Sequence, residues 1–148
     1  MLKKSNIFNK NLIAIDFNLK GTDEQFYTLK DIKGPKGILL FFICNHCPYV
    51  QAIAQKIERD VRALRKFGIN SAGIMSNDYI TYPSDDFNNM KKFSKENNFS
   101  FPYLIDETQE IAKLYDAQCT PDFFGFNKDM LLKYRGRLDD SGLEFHKD

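Results

Sequence analysis

Two cysteines stand three positions apart in the segment Cys44-Asn45-His46-Cys47-Pro48. In a chain whose strands and helices alternate, this spacing is typical of redox or metal chemistry. Proline is favoured at the first position of a helix, so Pro48 predicts a helix start and makes Cys47 the N-cap residue. The free amides and the positive end of the helix dipole would stabilise a thiolate there. We therefore predict that Cys47 is a nucleophile.

Cys44 ends the strand that precedes the helix, where no dipole assists it, and is better placed to resolve a mixed disulfide or sulfenic acid on Cys47. A protonated His46 would favour the thiolate further, so His46 and Pro48 are predicted to tune the Cys47 thiol. Two alternatives stay open: Cys44 is only a small buried hydrophobe, or the motif ligates a metal with the distant Cys119. Zinc sites normally show a second cysteine or histidine pair, so we predict no metal and no cofactor.

Thr120-Pro121 stands directly before the apolar pair Phe123-Phe124. Proline cannot donate within a sheet ladder, so this proline is expected at a strand start. A cis peptide bond between Thr120 and Pro121 is the sharper interpretation, because such bonds are usually kept for tight geometry.

The first half of the chain supplies the elements that position the cysteine pair. Alternating residues over 13–19 and a possible return over 25–29 predict an N-terminal hairpin. The run 38–43 is apolar on both faces, as in a central strand covered by helices on each side. The helix from Pro48 is expected to end at Gly68, before a second buried strand over 69–75.

The second half repeats this alternation and then changes. Pro83-Ser84 precedes a helix with the apolar stripe Phe87, Met90 and Phe93, and 101–105 is a short strand. Asp106 and Gln109 form a capping-box pattern before a short helix expected to bury Ile111, Leu114 and Tyr115. The segments 123–126 and 130–134 flank Asn127-Lys128-Asp129 and predict an antiparallel hairpin.

The predicted fold class is α/β, with a mixed central sheet flanked by helices and an N-terminal β-hairpin extension. We expect a polar arm over 1–12, one domain over 13–140 and a polar tail over 141–148. The length of 148 residues suits one domain, and the 43% hydrophobic content supports a sizeable core.

Composition excludes several function classes. The net charge of +1 offers no basic excess for nucleic acid. The longest apolar run, Gly37 to Cys44, is too short for a bilayer, and no leader peptide is evident, so a cytoplasmic location is expected. Three cysteines are an odd number, which argues against a structural disulfide framework.

These motifs together resemble the thioredoxin superfamily. The stretch Phe42-Ile43-Cys44-Asn45-His46-Cys47-Pro48-Tyr49-Val50 is most similar to a peroxiredoxin-like branch of its redoxin (AhpC/TSA) group. The segments Asn77-Asp78, 101–109 and 134–140 agree, so the likeness runs from about Ile15 to Asp140. The resemblance implies a thioredoxin fold, with Cys47 at the position of the thioredoxin nucleophile and the peroxidatic cysteine. It also implies that Pro121 is a cis-proline facing Cys47 and that Thr120 offers backbone to an extended thiol substrate.

The departures from the family pattern decide what activity to expect. Thioredoxin places its second cysteine at the position of Val50, whereas here Cys44 precedes the nucleophile. Peroxiredoxins have a threonine at the position of Cys44 and an arginine near the nucleophile, for which Arg135 or Arg137 would have to substitute. Related chains continue into a last helix and a further cysteine. Without them we expect a sheet face open to a partner or dimer contact, or a truncated chain.

Dithiol–disulfide exchange on a protein or small-molecule thiol is therefore the leading function expected from the sequence. Thioredoxin or glutathione is the candidate electron donor, and the protein is expected to be a monomer or homodimer that binds neither nucleic acid nor membrane. A peroxidase acting on hydrogen peroxide or alkyl hydroperoxides is the first alternative. A metal carrier or redox-responsive binding module is the second, although the copper-delivery branch has a cysteine where this chain has Gln51.

Overall fold

A computed structural model describes residues 12–117, 121–136, 138–139 and 142–143. In the first half of the chain the strands are β1 (Leu19–Gly21), β2 (Phe26–Tyr27), β3 (Gly37–Phe42) and β4 (Ile69–Met75), and the helices are α1 (Leu29–Ile32) and α2 (Pro48–Lys66). In the second half a 3₁₀ turn (Pro83–Asp85) leads into α3 (Phe87–Glu96), followed by β5 (Tyr103–Ile105), α4 (Glu110–Tyr115), β6 (Asp122–Asn127), β7 (Leu132–Gly136), β8 (Leu138–Asp139) and β9 (Gly142–Leu143).

The first seven strands form one mixed sheet in the order β2-β1-β5-β4-β3-β6-β7. Strands β3, β4 and β5 are parallel to one another, as expected for strands joined through helices, whereas β6 and β7 are antiparallel additions. β3 lies near the centre, and all six of its residues are buried. The predicted mixed sheet with helices is therefore confirmed.

Alternation along β3 divides the core into two clusters, one on each face of the sheet. The first cluster contains Leu39, Phe41 and Ile43 together with the buried faces of α2 and α3. The second contains Ile38, Leu40 and Phe42 together with residues of α1 and α4. Because both faces are covered, the sequence of β3 is apolar throughout instead of alternating.

The predicted N-terminal hairpin is present, but its first strand begins later than expected. β1 covers Leu19–Gly21 and pairs with β2, whereas Ile13 forms only an isolated bridge to Leu131. The carboxylate of Asp16 accepts hydrogen bonds from the amides of Phe17 and Leu29 at 2.9 and 3.0 Å. These side-chain bonds compete with a strand ladder over 13–18.

The first of two short helices was not predicted. Leu29 was expected to end a strand but begins α1, where the carboxylate of Asp31 accepts hydrogen bonds from the amide and hydroxyl of Thr28. This is an aspartate version of the capping box, whose usual signature carries Glu or Gln at that position.

The predicted helix cap at Asp106 was wrong. α4 begins at Glu110 with Gln109 as the N-cap in a left-handed conformation, because residues 106–109 form a turn first. Asp106 is buried and instead accepts hydrogen bonds from the Ser76 hydroxyl and the Ala112 amide. Leu114 was expected to be buried but is 50% exposed, whereas Ile111 and Tyr115 are the buried residues of this short helix.

The C-terminal hairpin of β6 and β7 is confirmed, with its second strand starting at Leu132 instead of Met130. Met130 adopts a positive φ of 64° and belongs to the turn. A register shift between Gly125 and Phe126 marks a bulge. β8 and β9 form a separate two-stranded sheet. None of the helices in the described part of the chain has the length and hydrophobicity that crossing a bilayer requires.

Candidate active site at the start of helix α2

Cys47 occupies the N-cap of α2, as Pro48 predicted. Its φ and ψ of −68° and 116° are extended, Pro48 follows inside the first turn, and the carbonyl of Cys47 accepts the amide of Gln51 at 3.0 Å. The Cys47 side chain makes no capping hydrogen bond, and the residue is partly exposed. A sulfur held at this place is open to a substrate and lies at the positive end of a 19-residue helix.

Cys44 lies just beyond the end of β3 and is 1% exposed. The chain bends at Asn45 and His46, between the two cysteines. Cys44 and Cys47 are both thiols here, with no disulfide between them. The pair is thus asymmetric, because Cys47 is partly exposed and Cys44 is buried.

Asp85 fixes the bend between the cysteines, although it comes from the distant 3₁₀ turn. Its Oδ1 accepts the amides of Asn45 and His46 at 2.7 and 3.1 Å. Its Oδ2 accepts the Asn77 amide side chain at 3.1 Å and contacts Nδ1 of His46. Asp85 is fully buried, so these contacts replace the water that the carboxylate would otherwise bind.

A second set of hydrogen bonds holds Asn45, which is 5% exposed. Its side-chain Nδ2 donates to the Ser84 carbonyl at 3.0 Å, and its Oδ1 accepts the Tyr103 hydroxyl at 2.7 Å. Its backbone carbonyl accepts Nε2 of Gln51 at 2.8 Å. Burial, and then the nearby Cys44 and Asp85, raise the pKa of Tyr103 well above its usual value. The phenol therefore stays protonated and remains a hydrogen-bond donor.

His46 is the partly exposed member of this hydrogen-bond network. Its side chain is 32% exposed and stacks on Tyr82, with ring centroids 4.9 Å apart and planes within 9°. Ligand atoms of Cys44, His46 and Asp85 all lie within 4.8 Å of one another. Among the residues that the structure describes, this is the one cluster of three or more such groups that could hold a metal ion.

The Thr-Pro segment is only partly within the described residues. Pro121 is buried and leads directly into β6, whose first residue, Asp122, pairs with Phe42 at the end of β3. Pro121 therefore lies near the end of β3 from which the chain continues to Cys44. Cys119, Thr120 and the peptide bond between Thr120 and Pro121 lie outside the described residues, so the predicted cis bond and the role of Thr120 stay predictions.

Arg135 is turned away from Cys47. Its Nη2 donates to the Asp116 carbonyl at 2.6 Å and pairs with Asp122 at 3.2 Å, and its guanidinium lies 4.5 Å above the Phe124 ring. Phe124 belongs to the core on the opposite face of the sheet from α2. Arg135 is therefore no substitute for the peroxiredoxin arginine, and Arg137 lies outside the described residues.

The sequence analysis gave no site role to Asp85, Asn77 or Tyr103, although the last two lie in segments that carry the family resemblance. The sequence contains one hint of the role of Asp85. Two aspartates, Asp85 and Asp86, follow Pro83-Ser84, but a helix needs only one of them as its N-cap. Asp86 accepts the Asn89 amide at 2.8 Å as the N-cap of α3, which leaves Asp85 for the cysteine segment.

Comparisons with known proteins place this geometry in a family. A conserved protein from Geobacillus kaustophilus is 42% identical, with a TM-score of 0.89 over 95% of this chain and 75% of that one. A secreted disulfide oxidoreductase of Mycobacterium tuberculosis is 18% identical, with a TM-score of 0.69 over 86% of this chain and 87% of its own. The peroxidoxin BcpB of the same organism is 14% identical, with the same TM-score over 91% and 85%.

The last two likenesses show the thioredoxin fold alone. No curated protein matches. The sequence model of the AhpC/TSA family matches residues 11–135, which is most of the chain. Together with the sheet order and the cysteine at the start of α2, this match shows that the chain belongs to the AhpC/TSA family of thioredoxin-fold redoxins.

Proposed function

We propose that the protein catalyses dithiol–disulfide exchange, with Cys47 as the nucleophile and Cys44 as the resolving thiol. The observation that carries the proposal is the unequal placement of the two sulfurs. Cys47 is partly exposed at the N-cap of α2, and Cys44 is buried three residues earlier. A substrate disulfide can reach the first sulfur directly, whereas the second can react only with a partner already attached to Cys47.

The exchange balances in two steps. The Cys47 thiolate attacks one sulfur of a substrate disulfide, that S–S bond breaks, and the displaced thiolate takes up a proton. Cys44 then loses its proton and attacks the Cys47 sulfur, releasing the second substrate thiol and leaving a Cys44–Cys47 disulfide. The substrate gains two electrons and two protons, and an external thiol such as glutathione or thioredoxin restores the pair.

The arrangement of the site supports exchange over peroxide reduction. A peroxidase needs donors that stabilise the two oxygens of the peroxide as the O–O bond breaks. Arg135 points into the other face of the sheet, and Cys44 stands where peroxiredoxins have a threonine hydroxyl. Pro121 precedes β6 at the same sheet edge as Cys44, where an extended peptide could run beside Cys47.

The test compares single serine variants on a disulfide peptide and on hydrogen peroxide. Cys47→Ser should abolish both reduction of the peptide and alkylation near neutral pH. Cys44→Ser should accumulate a mixed disulfide between Cys47 and the peptide, visible by intact mass. Cys119→Ser serves as the matched thiol control and should retain turnover of the peptide.

Two results would overturn the proposal. Rapid consumption of peroxide by the wild type, with slow reduction of the peptide, would assign the peroxidase alternative. Equal alkylation of Cys44 and Cys47 in the folded protein would remove the division of labour on which the mechanism depends.

A further inference from the structure

Cys44 lies close to a histidine and a carboxylate. Its sulfur, a ring nitrogen of His46 and a carboxylate oxygen of Asp85 all lie within 4.8 Å of one another. The three come from the end of β3, the bend and the 3₁₀ turn, so they converge through tertiary structure and not through a local sequence pattern. Cys47 is not a member of this cluster.

We propose that the reduced protein binds one divalent ion of the zinc type through Cys44, His46 and Asp85. One thiolate, one imidazole and one carboxylate are all ligand types that zinc accepts, and three protein ligands leave a fourth position open. Bond lengths of about 2.0–2.3 Å place tetrahedral zinc ligands about 3.3–3.8 Å apart. To hold an ion, separations of up to 4.8 Å must close by about 1 Å, and the contacting atoms of His46 and Asp85 must move apart.

The thiolate decides the class of ion. Magnesium and calcium take oxygen ligands, whereas a cysteine sulfur selects softer ions such as zinc. The residues around the cluster also hold two of the proposed ligands in place. Oδ1 of Asp85 is held by the amides of Asn45 and His46, which fix the carboxylate, and His46 is stacked on Tyr82, which fixes the imidazole plane. The 32% exposed side of His46 gives the ion a path from solvent.

Ion binding and the Cys44–Cys47 disulfide exclude each other, a point that rests on the proposed function. Binding displaces the proton of the Cys44 thiol to solvent, requires the ligating nitrogen of a neutral His46 to be the one without hydrogen, and leaves the sulfur oxidation state unchanged. When a substrate disulfide oxidises the pair, Cys44 becomes part of an S–S bond and ceases to be a thiolate ligand. The ion is then released, so the site holds metal only in the reduced state.

The test is a titration of the reduced full-length protein with Zn²⁺ against a chromophoric chelator, and with Co²⁺ as a spectroscopic probe. We expect one ion per chain and a thiolate-to-cobalt charge-transfer absorption. Cys44→Ser should remove that absorption, and Asp85→Asn should weaken zinc binding at least tenfold, because loss of a ligand should cost no less than loss of a supporting residue. If Asp85→Asn fails to fold, His46→Phe replaces it in the test. That variant keeps a ring beside Tyr82 and should weaken zinc binding by a similar factor.

Two controls separate this inference from the proposed function. Cys47→Ser should abolish exchange and keep zinc binding, because Cys47 is outside the cluster. Asp78→Asn changes an exposed carboxylate of the neighbouring loop and should bind zinc as the wild type does. The wild type oxidised to the Cys44–Cys47 disulfide should show no charge-transfer absorption.

Several outcomes would overturn the metal site. They are no zinc uptake by the reduced protein, uptake without a thiolate band, or uptake that survives both Asp85→Asn and His46→Phe. Exchange activity in metal-free buffer would then leave the proposed function standing. Zinc binding by a chain with no exchange activity would remove the proposed function and retain the ion site, though not its release on oxidation.

Discussion

Two aspartates, Asp85 and Asp122, are fully buried near the end of β3, and their charges are compensated differently. Asp122 pairs with Arg135, a permanent cation whose side chain is 6% exposed. Within the described residues Asp85 meets two backbone amides, an amide side chain and His46, but neither arginine nor lysine. Of these partners His46 alone can carry a positive charge, and it lies at the surface.

The difference separates a structural carboxylate from a functional one. Arg135 is a permanent cation that pairs with Asp122 and donates to the Asp116 carbonyl, so it tethers β7 to the turn after α4. The environment of Asp85 changes when a proton or an ion arrives at His46 and Cys44. The carboxylate that holds the cysteine bend is thus also the one that responds to the state of the site.

Removing the cation from Asp122 should give the largest loss of stability. Arg135→Met leaves a buried carboxylate without its ion pair, so the free energy of unfolding should fall by about 3–5 kcal/mol in urea titrations. The alkylation rate of Cys47 in the folded protein should stay unchanged, because Arg135 packs on the opposite face. The double variant Arg135→Met/Asp122→Leu should recover much of the loss. Slower alkylation of Cys47 in Arg135→Met would contradict the claim that Arg135, on the opposite face of the sheet, does not influence the thiol.

Asp85→Asn should give a smaller loss of stability and a change at the active site. The new amide group would meet the donating side chain of Asn77, leaving one partly buried donor without its acceptor and costing about 1–3 kcal/mol. The alkylation rate of Cys47 should change because the bend at Asn45 and His46 is less tightly held. Asp86→Asn is the matched control: asparagine caps helices as well as aspartate, so it should change stability by less than about 0.5 kcal/mol. Equal losses in both variants would remove the special role of Asp85.

The sequence predicts Cys47 and its strand–helix frame far better than it predicts Asp85. Pro48 determines the helix start through a local restriction on the backbone, and the apolar run of β3 records burial on both faces. Asp85 meets His46 across 39 positions, after a loop that leaves β4 and returns through a 3₁₀ turn. No periodicity encodes that return. The error at Asp106 has the same origin, because its carboxylate bonds to distant Ser76 where a local cap was expected.

Two buried tyrosines, Tyr103 and Tyr115, allow the same comparison with smaller expected losses of stability. Tyr103 donates to Asn45 beside the cysteines, and Tyr115 accepts the Ile15 amide and donates to the Ile15 carbonyl on the other face. Tyr103→Phe, which loses one hydrogen bond, should cost about 1 kcal/mol in unfolding titrations, and Tyr115→Phe, which loses two, should cost about 2 kcal/mol. Tyr103→Phe alone should alter the alkylation rate of Cys47. An equal effect of Tyr115→Phe on that rate would show that stability, and not the Asn45 contact, controls the thiol.

A carboxylate at the surface supplies the smallest effect. Asp23 accepts the Tyr27 hydroxyl, and that hydrogen bond, then burial and the nearby charges of Asp23 and Asp31, raise the pKa of Tyr27 to about 12. The folded state thus holds the phenol proton more tightly than the unfolded chain, whose phenol has a pKa near 10. The resulting stabilisation is complete below about pH 10 and is lost as the pH rises towards about 12. A pH titration of tyrosinate absorption, with the curve of Tyr27→Phe subtracted from that of the wild type, measures the midpoint for Tyr27. In Asp23→Asn this midpoint should move towards 10. A midpoint near 12 in that variant would show that burial dominates, even at the surface, in setting the pKa.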